Sequence, residues 1–184
     1  MKKTALVLLL TLSLAILLCG CGENIDITEP QTYVANGLEV TLPLYMRMSK
    51  SENFDIYLDN LSIAFCARQI TEEDLESVGL GMDATCAQYV DALIRMREFD
   101  KTKIFYEEYP DDGQYTFRYV FEPETGEEST SCYVVITGDV GNIWYIEMAC
   151  ADDIFEGNLG MFNDWRQQIV VTERVSDEEW ANAQ

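Results

Sequence analysis

Apolar residues change their spacing several times along this chain, and each change marks a different kind of segment. Ala5 to Leu18 is an apolar run interrupted only by Thr11 and Ser13. Gly22 to Gln31 is short and polar with Pro30 near its end, the composition of a tether. From Thr32 the pattern becomes that of a folded domain. Leu38, Val40 and Leu42 alternate with Glu39 and Thr41 after an Asn36-Gly37 turn signal and before Pro43, which predicts a first strand. Tyr45 to Met48 and Asn60 to Ala67 are expected as further strands. Thr71 and Asp74 then form a capping pattern for a short turn of helix that Gly79 and Gly81 end. Met82, Cys86, Tyr89, Leu93 and Met96 recur at spacings of three and four, which predicts an amphipathic helix to about Phe99.

Period two returns in the second half of the chain. Ile104 to Tyr109 stops at the Pro110-Asp111-Asp112-Gly113 turn. Tyr115, Phe117, Tyr119 and Phe121 alternate with Thr116, Arg118 and Val120 up to Glu122-Pro123, and such an aromatic stripe is expected to be a buried sheet face. Cys132 to Thr137 and Asn142 to Cys150 flank Gly138-Asp139-Val140-Gly141 as a hairpin. From Asp153 the spacing is helical again, through Ile154, Phe155, Leu159, Phe162, Trp165 and Ile169, with Asp152 or Asp153 as the cap. Val170 to Val175 adds a short extended segment, and Ser176 to Gln184 is an acidic tail. The expected fold class is α+β: a mostly antiparallel sheet of about six or seven strands flanked by two main helices. One domain is expected over residues 32–175, after a leader at 1–20 and a tethered N-terminus at 21–31, and before the tail at 176–184.

The first segment has the grammar of a signal peptide, with Lys2 and Lys3 as its positive end and an apolar run shorter than the ~18 residues of a permanent span. It closes on Leu18-Cys19-Gly20-Cys21, which resembles the lipobox of bacterial lipoproteins: an apolar residue, a tolerant position, a small residue and the cysteine that is lipidated. The resemblance implies cleavage before Cys21 and a diacylglyceryl thioether on it. At about 0.8 kcal/mol per buried methylene, two acyl chains hold a protein stably at a membrane. The expected location is therefore the extracytoplasmic side of a cell membrane, reached through the anchor at Cys21. An ordinary secretory signal with Cys21 left as a plain thiol is the alternative.

Composition narrows the chemistry. From Cys21 onward, ten basic residues stand against 33 acidic ones, a formal charge of −23, and the basic ones are scattered. Nucleic acid is excluded as a partner on that ground, because binding a phosphate backbone draws on clustered Lys and Arg. Histidine is absent. No Ser-His-Asp or Cys-His nucleophile and no His-ligated zinc can form within this chain, so an enzyme would have to work with carboxylates or a Ser-Lys pair. Asp111-Asp112, Asp139 and Asp152-Asp153 fall at expected turns and a helix start, and no EF-hand spacing occurs. No cofactor is implied.

Once Cys19 leaves with the leader and Cys21 is lipidated, four cysteines remain: Cys66, Cys86, Cys132 and Cys150. An even number in an exported chain suggests disulfides. Of the three possible pairings, Cys66 with Cys86 and Cys132 with Cys150 are favoured, strand to helix and across the last hairpin. Four buried thiols acting as small hydrophobes are the alternative. A zinc site would need all four to converge, and no C-x-x-C redox spacing exists.

The order of elements resembles the PsbP/DcrB-like superfamily of small envelope and thylakoid-lumen proteins. The resemblance rests on the opening Asn36-Gly37-Leu38-Glu39-Val40-Thr41-Leu42-Pro43, the helix after the first strands, the aromatic meander from Tyr115 to Cys150, and the closing helix through Phe162, Trp165 and Ile169. It spans roughly residues 33 to 172 and implies a helix-flanked sheet and, for lipoprotein members, an envelope role without established catalysis. The function expected is a membrane-anchored binding or accessory module facing an envelope protein or ligand. The alternative is a histidine-free, carboxylate-based hydrolase at the cell surface. A deep pocket with convergent carboxylates would favour the hydrolase; a filled core beside one broad open surface would favour binding.

Overall fold

A computed structural model describes residues 29–35, 37–43, 45–96, 104–109, 113–122 and 128–172. The leader with Cys21, most of the tether, Asn36, Phe99, the Pro110-Asp111-Asp112 turn, Pro123, Val175 and the acidic tail lie outside the described residues. Within them the order is β1 (Pro30–Ala35), β2 (Leu38–Pro43), β3 (Arg47–Met48), β4 (Ile56–Asp59), β5 (Ile63–Gln69), α1 (Glu72–Ser77), α2 (Cys86–Met96), β6 (Phe105–Tyr109), β7 (Gln114–Phe121), β8 (Thr130–Asp139), β9 (Asn142–Ala151), α3 (Asp152–Arg166) and β10 (Ile169–Val171).

The strands form two antiparallel sheets. One is small, in the order β1-β2-β10; the other has seven strands in the order β3-β4-β5-β9-β8-β7-β6. The α+β class holds, and the large sheet has the expected number of strands, but β1, which begins in the last two residues of the expected tether, and β4 arise where the sequence pattern marks no strand. β1 buries only Tyr33 and Ala35, and its other side carries Pro30, Thr32 and an exposed Val34. The expected strand from Asn60 starts at Ile63 instead. Asn60 Oδ1 accepts from the amides of Ser62 and Ile63, both at 2.8 Å, and this side-chain turn makes residues 60–62 the β4–β5 loop.

Each face of the seven-stranded sheet has its own core. One face packs against the small sheet and α3, burying Leu38, Val40 and Leu42 of β2 against Phe65 of β5, Val135 of β8 and Ile146 of β9. Phe162 lies at the centre of the α3 contribution, with ring centroids 5.8 Å from Phe155 and 5.9 Å from Trp165. The spacing 155, 162, 165 keeps the three rings on one side of the helix. Full burial of rings of this size stabilises by roughly 1.5–3 kcal/mol each. The other face packs against α1 and α2 through Leu75, Tyr89, Val90 and Leu93, which meet Val134, Ile136, Ile143 and Phe117.

Local chemistry fixes the connections. α1 has the capping box read from Thr71 and Asp74, with Arg68 paired to the same carboxylate at 2.9 Å. α3 differs from expectation: Ala151 is its N-cap and no side chain caps it, because Asp152 already lies inside the first turn and accepts from the Ser131 hydroxyl. The β8–β9 hairpin turns at Val140-Gly141 with Asp139 opposite Asn142. Gly138 sits at φ 115°, where a Cβ would come within 2.1 Å of the Asn142 carbonyl oxygen, so only glycine fits. Asn142 then ties the sheets together, donating from Nδ2 to Thr172 O at 3.1 Å and accepting from Gln69 Nε2 at 2.8 Å.

Candidate functional site

Strand register arranges the helix-side face of the large sheet in rows. Tyr57, Cys66, Glu147, Val134 and Phe117 form one, and Arg47, Asp59, Ala64, Ala149, Cys132 and Tyr119 form the next. The helices seal Val134 and Phe117 completely, whereas Tyr57, Asp59, Ala64, Glu147, Ala149 and Tyr119 are only half-buried. The aromatic stripe of β7 follows this gradient: Phe117 is fully buried and Phe121 is 58% exposed, so the expected buried face is closed at one end and open at the other.

Glu147 is the polar centre of the face. Its Oε2 accepts from the Tyr119 hydroxyl at 2.9 Å and from the Tyr145 hydroxyl at 2.5 Å. Burial raises the Tyr119 pKa, and the negative charge of Glu147 raises it further, so that hydroxyl stays a donor. The sequence signal for this cluster is a lone acid in the otherwise apolar alternation of Asn142–Ala151.

Beyond Glu147 the face opens into a groove of about 890 Å³. Ala64, Ala149 and Ala151 are among its lining residues and supply little side-chain volume, so the surface of β5 and β9 stays low there. Around them stand Tyr57 and Asp59 of β4, Arg47 of β3, and Leu61. The side-chain turn at Asn60 sets Leu61 on the outside of the β4–β5 loop, where it is fully exposed. The groove thus offers an apolar floor and rim with a cation, a carboxylate and the amide of Asn60 close by. That composition suits a ligand with an apolar body and a few polar groups. None of these residues is marked by a motif, because five strands from two separate stretches of sequence, β3 to β5 and β8 to β9, contribute to it.

The four domain cysteines are separate, buried thiols, so the expected disulfides are corrected. Cys132 lies opposite Ala149, and Cys150 opposite Ser131, in the β8–β9 ladder. Their side chains therefore leave opposite faces of the sheet, and no bridge can span them. Cys66 shares a row with Glu147, whereas Cys86 Sγ donates to Gly138 O at 3.2 Å, four residue rows or about 13 Å along the sheet. Burial, reinforced by the Glu147 carboxylate, pushes Cys66 and Cys132 up to about 12. Burial with Asp139 nearby raises Cys86 to about 11, and burial with Asp152 and Asp153 does the same for Cys150. All four are protonated at neutral pH and poor nucleophiles, the behaviour of small hydrophobes. Among the described residues no group of three or more Cys, Asp or Glu side chains is placed to hold a metal.

Asp74 has a lowered pKa: burial opposes its ionisation, but hydrogen bonds from the Thr71 amide, Arg68 and the Thr71 hydroxyl outweigh it. That shift belongs to a helix cap and an ion pair. Asp139 lies exposed on the hairpin, and Asp152 and Asp153 occupy the first turn of α3.

No family model and no curated protein sequence matches the chain. Solved structures similar to it include a cyanobacterial PsbP (CyanoP) from Synechocystis, at 14% identity over 83% of this chain and 98% of that one, TM-score 0.48. They also include LpqN, involved in cell envelope biogenesis of Mycobacterium tuberculosis, at 10% identity over 82% and 88%, TM-score 0.46. A Pseudomonas aeruginosa protein of unknown function matches at 11% identity over 80% and 99%, TM-score 0.46. Among the described residues no helix is long and apolar enough to cross a membrane.

Proposed function

We propose that this protein is a lipid-anchored binding module of the cell envelope, tethered through Cys21, which takes its ligand or partner in the groove beside Leu61. The observation that carries the reading is the form of that groove: broad, floored by alanines, rimmed by Tyr57 and Leu61, with Arg47 and Asp59 on adjacent strands. Its lining mixes an apolar floor with Arg47, Asp59, Asn60, Ser62 and Thr130, which gives a ligand an apolar bed and polar groups to orient it. The protonated thiols and the capped Asp74 have structural causes, which favours binding over the carboxylate hydrolase. The lipobox-like Leu18-Cys19-Gly20-Cys21 supports the anchor.

Two measurements test the two parts. Mass spectrometry of the membrane fraction should find a diacylated N-terminal Cys21, and Cys21→Ala should release the chain from the membrane. An unmodified Cys21, or a Cys21→Ala chain that stays bound, would remove the anchor from the account. For the groove, a photo-crosslinking residue in place of Leu61 should capture a discrete adduct in intact cells, and the same residue in place of Val170 on the small sheet should not. Equal capture at both positions would remove the groove.

A further inference from the structure

The two edges of the seven-stranded sheet are built differently. β3 is two residues long, includes Arg47 and is followed by Lys50, the short and cationic form that discourages another strand from pairing. β6 lies six strand spacings away, about 29 Å at ~4.8 Å each. It has five residues and reads FYEEY, with no proline or lysine inside the strand; Lys103 and Pro110 stand outside its two ends. Among the described residues no strand pairs with its outer side, so that row of main-chain groups faces outward.

The residues of the strand itself are aromatic and acidic. Phe105 and Tyr106, on opposite faces, are 57% and 41% exposed. Two cations flank the strand and both are turned inward: the Arg166 guanidinium of α3, buried, lies 3.7 Å from the Tyr109 ring centroid, and that of Arg118 on β7 lies 4.6 Å from the Phe105 ring centroid and 3.9 Å from Glu156. Glu107 is exposed between the aromatic positions, and its Oε2 accepts from the Tyr109 hydroxyl at 2.7 Å. A second copy of the chain is a poor occupant, because antiparallel pairing of two β6 strands about Glu107 sets the two glutamates against each other, and each chain carries a charge of −21. For a basic strand the same charges attract.

We infer that the β6 edge binds an extended, basic segment of another protein by strand addition, with main-chain hydrogen bonds supplying affinity and Glu107 with the flanking aromatics supplying selectivity. This surface is separate from the groove and does not depend on it.

The test uses the full chain in phosphatidylcholine vesicles, whose neutral surface does not itself attract the probe. The probe is a fluorescein-labelled octapeptide of alternating Lys and Thr, read by fluorescence anisotropy. It should bind, and the alternating Glu-Thr peptide should not. N-methylation of one or other set of alternate residues in the Lys-Thr peptide should weaken binding at least tenfold, since one set must face the edge. Glu107→Lys should weaken it at least tenfold as well, whereas Glu39→Lys, exposed on β2 of the other sheet, should change it less than twofold. Absence of Lys-Thr binding would overturn the inference. So would equal loss with Glu107→Lys and Glu39→Lys, which would mean general charge attraction, or unchanged binding of both N-methylated peptides. The N-methyl comparison uses the unsubstituted chain, so it decides the matter even where Glu107→Lys does not fold.

Discussion

The two faces of the large sheet are closed by different means, and the difference separates what holds the domain together from what it can offer a partner. One face is sealed along its length by the small sheet and α3, whose side chains fill the space with aromatic and aliphatic groups such as Phe162 and Trp165. The other is sealed by α1 and α2 at one end only, and toward the opposite end small residues, a shared carboxylate and two tyrosine hydroxyls replace the packing. Burial of apolar area dominates the first face. The second gives up part of that gain and gains a groove.

Breaking the sealed face should cost most. Phe162→Ala removes a fully buried ring from the three-ring cluster and should destabilise by about 3–5 kcal/mol, lowering Tm by roughly 10 °C or more in a calorimetric scan. Glu147→Leu on the open face removes the acceptor shared by Tyr119 and Tyr145 and should cost less, about 1–3 kcal/mol in denaturant unfolding. If the two losses were equal, the polar face would be as much a core as the aromatic one.

Asp74→Ala, which deletes the reciprocal half of the α1 capping box and the bond to Arg68 but keeps Thr71 as the cap, should cost about 1 kcal/mol. Folding lowers the pKa of Asp74, so its contribution is fully present above the ordinary carboxyl value of about 4 and is lost as pH falls through the lower folded value. The acid limb of stability against pH should accordingly be shallower in Asp74→Asn.

The thiols give the opposite limb. Folding raises Cys66 and Cys132 to about 12, so the stability they lend is complete below the ordinary thiol value of about 8.5 and declines as pH rises toward the folded one. The double variant Cys66→Ala with Cys132→Ala should flatten that decline, and iodoacetamide at pH 8 should label both thiols only after unfolding. Leu61→Asp should have the smallest effect on stability, within about 0.5 kcal/mol, because Leu61 packs against nothing it would lose.

The sealed face was largely legible in the sequence. The alternation in β2, the stripe at Phe155, Phe162 and Trp165, and the β8–β9 hairpin each have strong periods. β4 escaped because its four residues end in the loop that Asn60 shapes, and β1 because Tyr33, Val34 and Ala35 are consecutive and exposed Val34 breaks the apolar-polar alternation. The Cys132–Cys150 pairing failed on one residue of register. A hairpin with a two-residue loop sets Cys132 against Ala149, which turns Cys150 to the other side of the sheet. The groove was not legible, since Arg47, Tyr57, Leu61 and Ala149 come together only through strand order.

The most direct test of the open face is hydroxyl-radical footprinting of the chain in intact cells and after purification. Phe162 and Trp165 should be protected in both states, and Tyr57 and Leu61 should be oxidised in the purified chain but protected in cells, with exposed Val170 oxidised in both. Equal oxidation of Tyr57 and Leu61 in the two states would contradict the account, because the groove would then be open and unused where the protein works.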